Sequence, residues 1–130
     1  VADKVRFPHA AKVILDLLNA ELPSGVKAYP KIPAATTNPK PGKFIVVRVV
    51  GGTTETLVTS APQITVEGYA AADSDAYDLC DLAVAIIRSQ DGVIRGARGF
   101  GYPQNLPDPT TSQVRYTSTG EVRVWGATTP

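Results

Sequence analysis

Methionine is absent, and cysteine, histidine and tryptophan each occur once in 130 residues; these scarcities narrow the chemistry before any motif is considered. Cys80 alone cannot make an internal disulfide, which agrees with a reducing compartment. His9 alone leaves no H-E-x-x-H, and the chain also lacks G-x-S-x-G and G-x-x-x-x-G-K; Gly96, Gly99 and Gly101 have no following lysine and helix to cradle a phosphate. No apolar run approaches the ~20 residues of a membrane span, and the stretch from Val1 to His9 lacks the apolar core of a secretion signal. The lack of methionine places the initiator outside this numbering. The expectation is a soluble protein made in a cytoplasm, a single domain over residues 1–130, with no enzymatic activity, metal or cofactor.

What the chain does contain is clearest between Pro107 and Gly126. Val114, Tyr116, Ser118, Gly120, Val122 and Val124 fall on one side of an extended backbone, opposite Arg115, Thr117, Thr119, Glu121, Arg123 and Trp125. A tight hairpin at Thr119-Gly120 would mix the two faces, so one long strand is predicted rather than two short ones. At ~12 residues it would span roughly 40 Å, more than a small domain needs to cover its own core. The excess length predicts a surface shared with another subunit.

Upstream, Ala10, Val13, Ile14, Leu17 and Leu18 make one apolar stripe, predicting a helix from about Pro8, at its first position, to Leu22. Leu15 lies off that stripe and is a candidate subunit contact. Pro23-Ser24-Gly25 stops the helix, and Val26 to Tyr29 suit a short edge strand. The Pro-rich stretch from Ile32 to Gly42, with Thr37 and Lys40, reads as an extended arm. Phe44 to Val50 is a β-branched run expected to be covered on both faces and ended by Gly51-Gly52, with a loop or hairpin arm from Thr53 to Ala61. In the next strand Ile64, Val66, Gly68 and Ala70 alternate with Thr65, Glu67 and Tyr69, which predicts one wet or partner-facing side. The second helix has Asp73 or Ser74 as cap, a core stripe of Ala76, Leu79, Cys80, Ala83, Ile86 and Ile87, and Gly92 beyond its end. The elements compose an α+β fold: a mostly antiparallel sheet with two helices packed on one face and long loops.

Charge is segregated beneath a formal net of +1. Residues 1–52 carry eight Lys/Arg against three Asp/Glu, residues 53–94 one against seven, and residues 95–130 four against two. Either the two signs pair within one subunit, or a basic patch of one copy meets an acidic patch of the next, the head-to-tail geometry that closes rings. Asp73, Asp75, Asp78 and Asp81 do not suggest a metal site, because carboxylates spread along a helix diverge, whereas hard cations need convergent oxygens. Acidic residues in a first turn complement the helix dipole instead. Arg98-Gly99-Phe100-Gly101-Tyr102 matches part of an RNA-recognition signature. That signature needs a strand lying between helices; here both helices precede it and Pro103 intervenes, so a tight loop with two packing aromatics is the alternative.

Several of these stretches share a family resemblance. The corner Pro107-Asp108-Pro109, then Arg115-Tyr116, then Glu121 to Val124 closing at Trp125-Gly126 resembles the C-terminus of tail terminator proteins of long-tailed, siphovirus-type bacteriophages. The Pro-rich lead into Lys43 to Arg48 ending at Gly51-Gly52, the strand Pro62 to Ala70 and the helix directly after it resemble the same family in the same order. The resemblance implies a structural virion protein, assembled in the host cytoplasm, that forms a hexameric ring at the head–tail junction. It implies that the ring caps the tail tube, stops polymerisation, meets a head-closure or neck protein and lets genomic DNA pass without sequence-specific binding or any membrane. A head-closure ring and a tail-tube subunit are the alternatives within that class, and an RNA-binding module built on Arg98 to Tyr102 lies outside it. The interface candidates are Leu15, Thr37, Lys40, Lys43, Asp75, Asp78, Arg98, Arg115, Arg123 and Trp125.

Overall fold

The computed structural model describes residues 4–32, 42–54, 59–106 and 113–129. In chain order the elements are β1 (Lys4–Arg6), α1 (Ala10–Glu21), β2 (Lys27–Tyr29), β3 (Phe44–Thr54), β4 (Thr59–Ala70), α2 (Asp73–Arg88), β5 (Ile94–Arg98), β6 (Gln104–Asn105), β7 (Val114–Trp125) and β8 (Ala127–Thr129). The principal sheet runs β2-β3-β4-β7-β5, with β6 also on β7; β1 and β8 form a separate antiparallel pair. Among the described residues only β2 runs parallel to its neighbour. Both helices pack on one face, so the fold is the α+β arrangement predicted, with a mixed and mainly antiparallel sheet.

The core lies between that face and the helices. Ile45, Val47, Ile64, Val66, Ile94, Val122 and Val124 of the sheet meet Ile14 and Leu18 of α1 and Ala76, Leu79, Cys80, Ala83, Val84, Ile86 and Ile87 of α2. Every residue of the predicted α2 stripe is buried, because a 3.6-residue period forces those positions onto one side. Gly68 lets α2 approach closely: a Cβ there would come within 2.6 Å of Ala76 O and 2.8 Å of Cys80 N. Cys80 is buried, with Sγ 3.6 Å from Val66 O, and burial pushes its thiol up to about 12.

Helix ends differ from expectation. His9, not Pro8, governs the start of α1: its Nδ1 accepts the Lys12 N–H at 3.2 Å, leaving Pro8 outside the helix. Asp73 lies inside α2, whose cap is Ala72 without a side-chain hydrogen bond; Asp73 and Asp75 act on the first turn through the dipole instead. At the other end Ser89 makes the cap, its Oγ donating to Ile86 O at 2.7 Å, and Gly92 lies beyond the helix end as expected.

Strands differ more. Gly51-Gly52 does not end β3 but carries it through a bulge between Val49 and Gly52, with positive φ at both glycines, and pairing with β4 resumes to Thr54. Burial on both faces holds only from Phe44 to Val47; Arg48, Val49 and Val50 are exposed. β7 is the single unbroken strand predicted, but its length is used within the subunit. β4 pairs with it from Ala70↔Val114 to Thr59↔Trp125, and β5 and β6 pair with its other edge. β3 and β4 are long as well, and long strands pair with long strands, so the length of β7 is matched within its own sheet.

Candidate subunit-contact surface

The sheet face turned away from the helices is organised by one buried carboxylate. Alternation puts Arg48 of β3, Glu67 of β4 and Arg115 of β7 on this face, and the register sets both arginines diagonal to the glutamate. Glu67 accepts from Arg48 Nε at 2.8 Å and from Arg115 Nη1 at 3.0 Å, while Arg115 Nε donates to Leu106 O at 2.6 Å. The Glu67 side chain is only 4% exposed, against 42% for Arg48 and 22% for Arg115. Two charge-assisted partners offset the cost of burying the carboxylate, and the hydrogen bond to Glu67 raises the Arg48 guanidinium further above its ordinary value.

To one side of this network is an apolar cluster. Phe44 stacks on Tyr69 at 4.6 Å between ring centroids, with Tyr29 edge-on to Phe44 at 6.2 Å. Phe44, Val46 and Tyr69 are fully buried. Of the wet or partner-facing side predicted for β4, the wet alternative fails at Glu67 and Tyr69, and the reason is cross-strand pairing: an ion network covers one and aromatic stacking the other. To the other side the face is polar and open. Thr65 Oγ1 and Thr119 Oγ1 are 3.0 Å apart, Arg98 Nε pairs with Glu121, and the Arg95 guanidinium lies 4.6 Å from the centroid of the Trp125 ring. Arg95 sits directly opposite Arg123.

The interface candidates separate accordingly. Arg98, Arg115, Arg123 and Trp125 share this sheet face, Arg98 and Arg115 already held in ion pairs. Lys43 and Asp75 pair with each other at 3.6 Å, so part of the charge segregation is neutralised within the subunit, as it is again between Arg48 and Glu67. Asp78 is exposed on α2, on the opposite side of the molecule from the arginines. Leu15 is half-buried against the main core rather than exposed, because α1 buries a wider arc than its central stripe. Thr37 and Lys40, with residues 33–41 of the arm from Ile32 to Gly42, lie outside the described residues. Sequence reasoning missed Arg48, Glu67 and Arg95 as parts of the face, since only the register joins them to β7.

Around the glycine-rich loop the geometry corrects a second expectation. Phe100 is half-buried on the helix side, its ring seated over Gly120, but Tyr102 is 86% exposed, so only one of the two aromatics packs. Arg98 ends β5, and the remaining residues of the motif form a loop between β5 and β6. Base stacking needs aromatic rings displayed together on a sheet surface, and Phe100 and Tyr102 do not provide that. Cavities of about 320 and 470 Å³ flank the loop, lined respectively by Asp81, Val84, Arg88 and Phe100 and by Gln104, Leu106 and Thr117 to Thr119, with Tyr102 on the wall of both. His9 is engaged as a helix cap, Cys80 is buried, and no group of three His, Cys, Asp or Glu able to hold a metal occurs among the described residues. The arginine face offers charge and hydrogen-bond donors held largely by Glu67 and Glu121. No family model matches the chain, and no curated protein matches its sequence.

Proposed function

We propose that this chain is a ring-forming structural protein of the tail terminator type, capping a phage tail tube and joining it to the neck of the head. The observation that carries the reading is the ordered run of features across nearly the whole chain, ending in the unbroken strand Val114–Trp125 at the heart of an α+β domain. Hexameric ring formation, contact with tail-tube and head-closure proteins, and passage of genomic DNA through the lumen follow from the resemblance. An open, polar sheet face and an exposed acidic helix give such a protein surfaces on two sides. The RNA-binding alternative is weakened because Phe100 packs into its own subunit.

The test is assembly. Purified protein should be a monomer or a loose equilibrium when dilute, since an interface of modest charged patches is weak until a partner orders it. Mixed with tail-tube subunits, it should form six-membered rings at one tube end and stop elongation, visible by electron microscopy and light scattering. A stable two-fold dimer, whose isologous contact cannot propagate around a ring, would count against the reading. Tubes formed by this protein alone would favour a tail-tube subunit instead.

A further inference from the structure

We infer that the proline-rich arm of one copy, through Pro39-Lys40-Pro41, docks in the hollow between α2 and the β5–β6 loop of the next copy. The inference rests on the ring reading above and names one contact of that ring. The hollow, of about 320 Å³, is walled by Val84, Phe100, Tyr102 and Pro103, with Asp81 and Arg88 also lining it. Tyr102 walls the neighbouring cavity of about 470 Å³ as well, so its ring, 86% exposed, stands as a ridge between two hollows. Phe100 does the packing for this loop, which leaves Tyr102 to display its ring to a partner. Flat aromatic and proline rings side by side are the kind of surface on which proline-rich segments dock, because such segments are extended beforehand and lose little entropy on binding.

Charge points to the same occupant. Asp81 and Arg88 are exposed and lie about 10 Å apart along the axis of α2, too far to pair with each other, and neither is in an ion pair among the described residues. The arm supplies a partner for each: Lys40, between two prolines, for the carboxylate, and Asn38 with backbone carbonyls for the guanidinium. Nucleic acid fits worse, because Asp78 and Asp81 on α2 repel phosphate. The arm comes from another copy because its own is tethered elsewhere. Ile32 packs with Tyr29 and Phe44 on the face turned away from the helices, and Lys43 pairs with Asp75 in the first turn of α2. Val84, in the hollow, lies about 13 Å beyond Asp75 along α2, and β5 lies about 14 Å from β3 across the sheet. Residues 33–41, held at both ends, extend about half their contour, roughly 15 Å, short of that combined distance of roughly 20 Å. Docking between copies is therefore heterologous, the geometry that a ring requires.

The experiment is peptide docking on the full chain. A synthetic peptide of residues 30–43 is titrated onto wild-type protein, Tyr102→Ala and Asp81→Lys by fluorescence anisotropy, with thermal melts to establish that each variant is folded. Wild type should bind the peptide, and each variant should bind it roughly tenfold more weakly. The peptide carrying Lys40→Glu should bind wild type poorly and regain affinity for Asp81→Lys, because the reversed charges then match. A peptide that does not bind, that binds Tyr102→Ala as tightly as wild type, or that gains nothing from the charge reversal would overturn the contact. Peptide taken up by a chain whose residues 34–41 are replaced with a Gly/Ser linker, yet refused by the dilute intact chain, would mean that the arm fills its own hollow, and would overturn docking between copies. Six-membered rings formed normally on tail tubes by Tyr102→Ala would overturn the contact while leaving the ring reading intact. Peptide docking as expected, with intact protein forming only open chains on tubes, would support the contact and overturn the ring.

Discussion

Glu67 and Gly68 are neighbours on β4, and they do opposite work on its two faces. Glu67→Ala would leave Arg115, largely buried, without its carboxylate; because both arginines retain access to water, the loss should be about 2 kcal/mol, below the range for a fully buried pair. Gly68→Ala faces backbone atoms of α2 that cannot rotate aside, so the helix must shift, at about 2–3 kcal/mol or roughly 10 °C in melting temperature for a domain of this size. Calorimetry on both variants checks these values; an unchanged Gly68→Ala melt would mean that α2 slides freely on β4. Cys80 gives a prediction in pH. Its thiol sits at about 12 in the folded protein against an ordinary value near 9, so the unfolded chain releases its proton first. Stability from this group is intact below pH 9 and falls as pH rises from about 9 towards about 12. Melts of wild type and Cys80→Ala between pH 8 and pH 11 should therefore converge or cross as pH rises, and alkylation of the native thiol should be slow at neutral pH.

At the scale of elements, the loop between β5 and β6 separates packing from display. Phe100 fills space beside Gly120 and under α2, so Phe100→Ala should cost about 2 kcal/mol, less than for a fully buried ring. Tyr102→Ala should leave the melt unchanged, since the ring is in water. Neither change should alter the weak, salt-sensitive binding to RNA or DNA expected of a protein that only surrounds passing nucleic acid. Tight RNA binding abolished by Tyr102→Ala would revive the RNA-binding reading. The arm from Ile32 to Gly42 is tested separately: replacing residues 34–41 with a short Gly/Ser linker should hold the melting temperature within a few degrees, roughly the effect of ≤1 kcal/mol, yet impair ring closure or tail joining. Normal particle assembly with the replaced arm would rule out that role.

For the whole molecule, the two layers define two unlike surfaces. One is an arginine-rich sheet face braced by Glu67, and the other is an acidic helix. Their placement on opposite sides makes any contact between them directional, which suits a cyclic assembly and excludes a symmetric dimer through the same patches. On the ring reading proposed above, assembly should be salt-sensitive, with tail-tube ends shifting the equilibrium from monomer to ring by mass action. Sedimentation at several protein and salt concentrations, with and without tube subunits, measures that shift.

Periodicity is local, and it was legible without coordinates. The stripe of α2, the alternation of β7 and the absence of a hairpin at Thr119-Gly120 each depend on residues a few positions apart, so the sequence by itself determined the two helices, the long final strand and the α+β class. The ends of elements were less legible, because a cap can come from His9 or from backbone alone. Register, by contrast, exists only once distant strands have paired. Arg48 and Arg115 reach Glu67 across 19 and 48 residues of chain, and a one-residue slip in either pairing would turn an arginine into the core. The same long-range pairing placed β7 at the centre of its own sheet, buried Tyr69 on the side predicted to be wet or partner-facing, and gathered arginines from three strands onto one face.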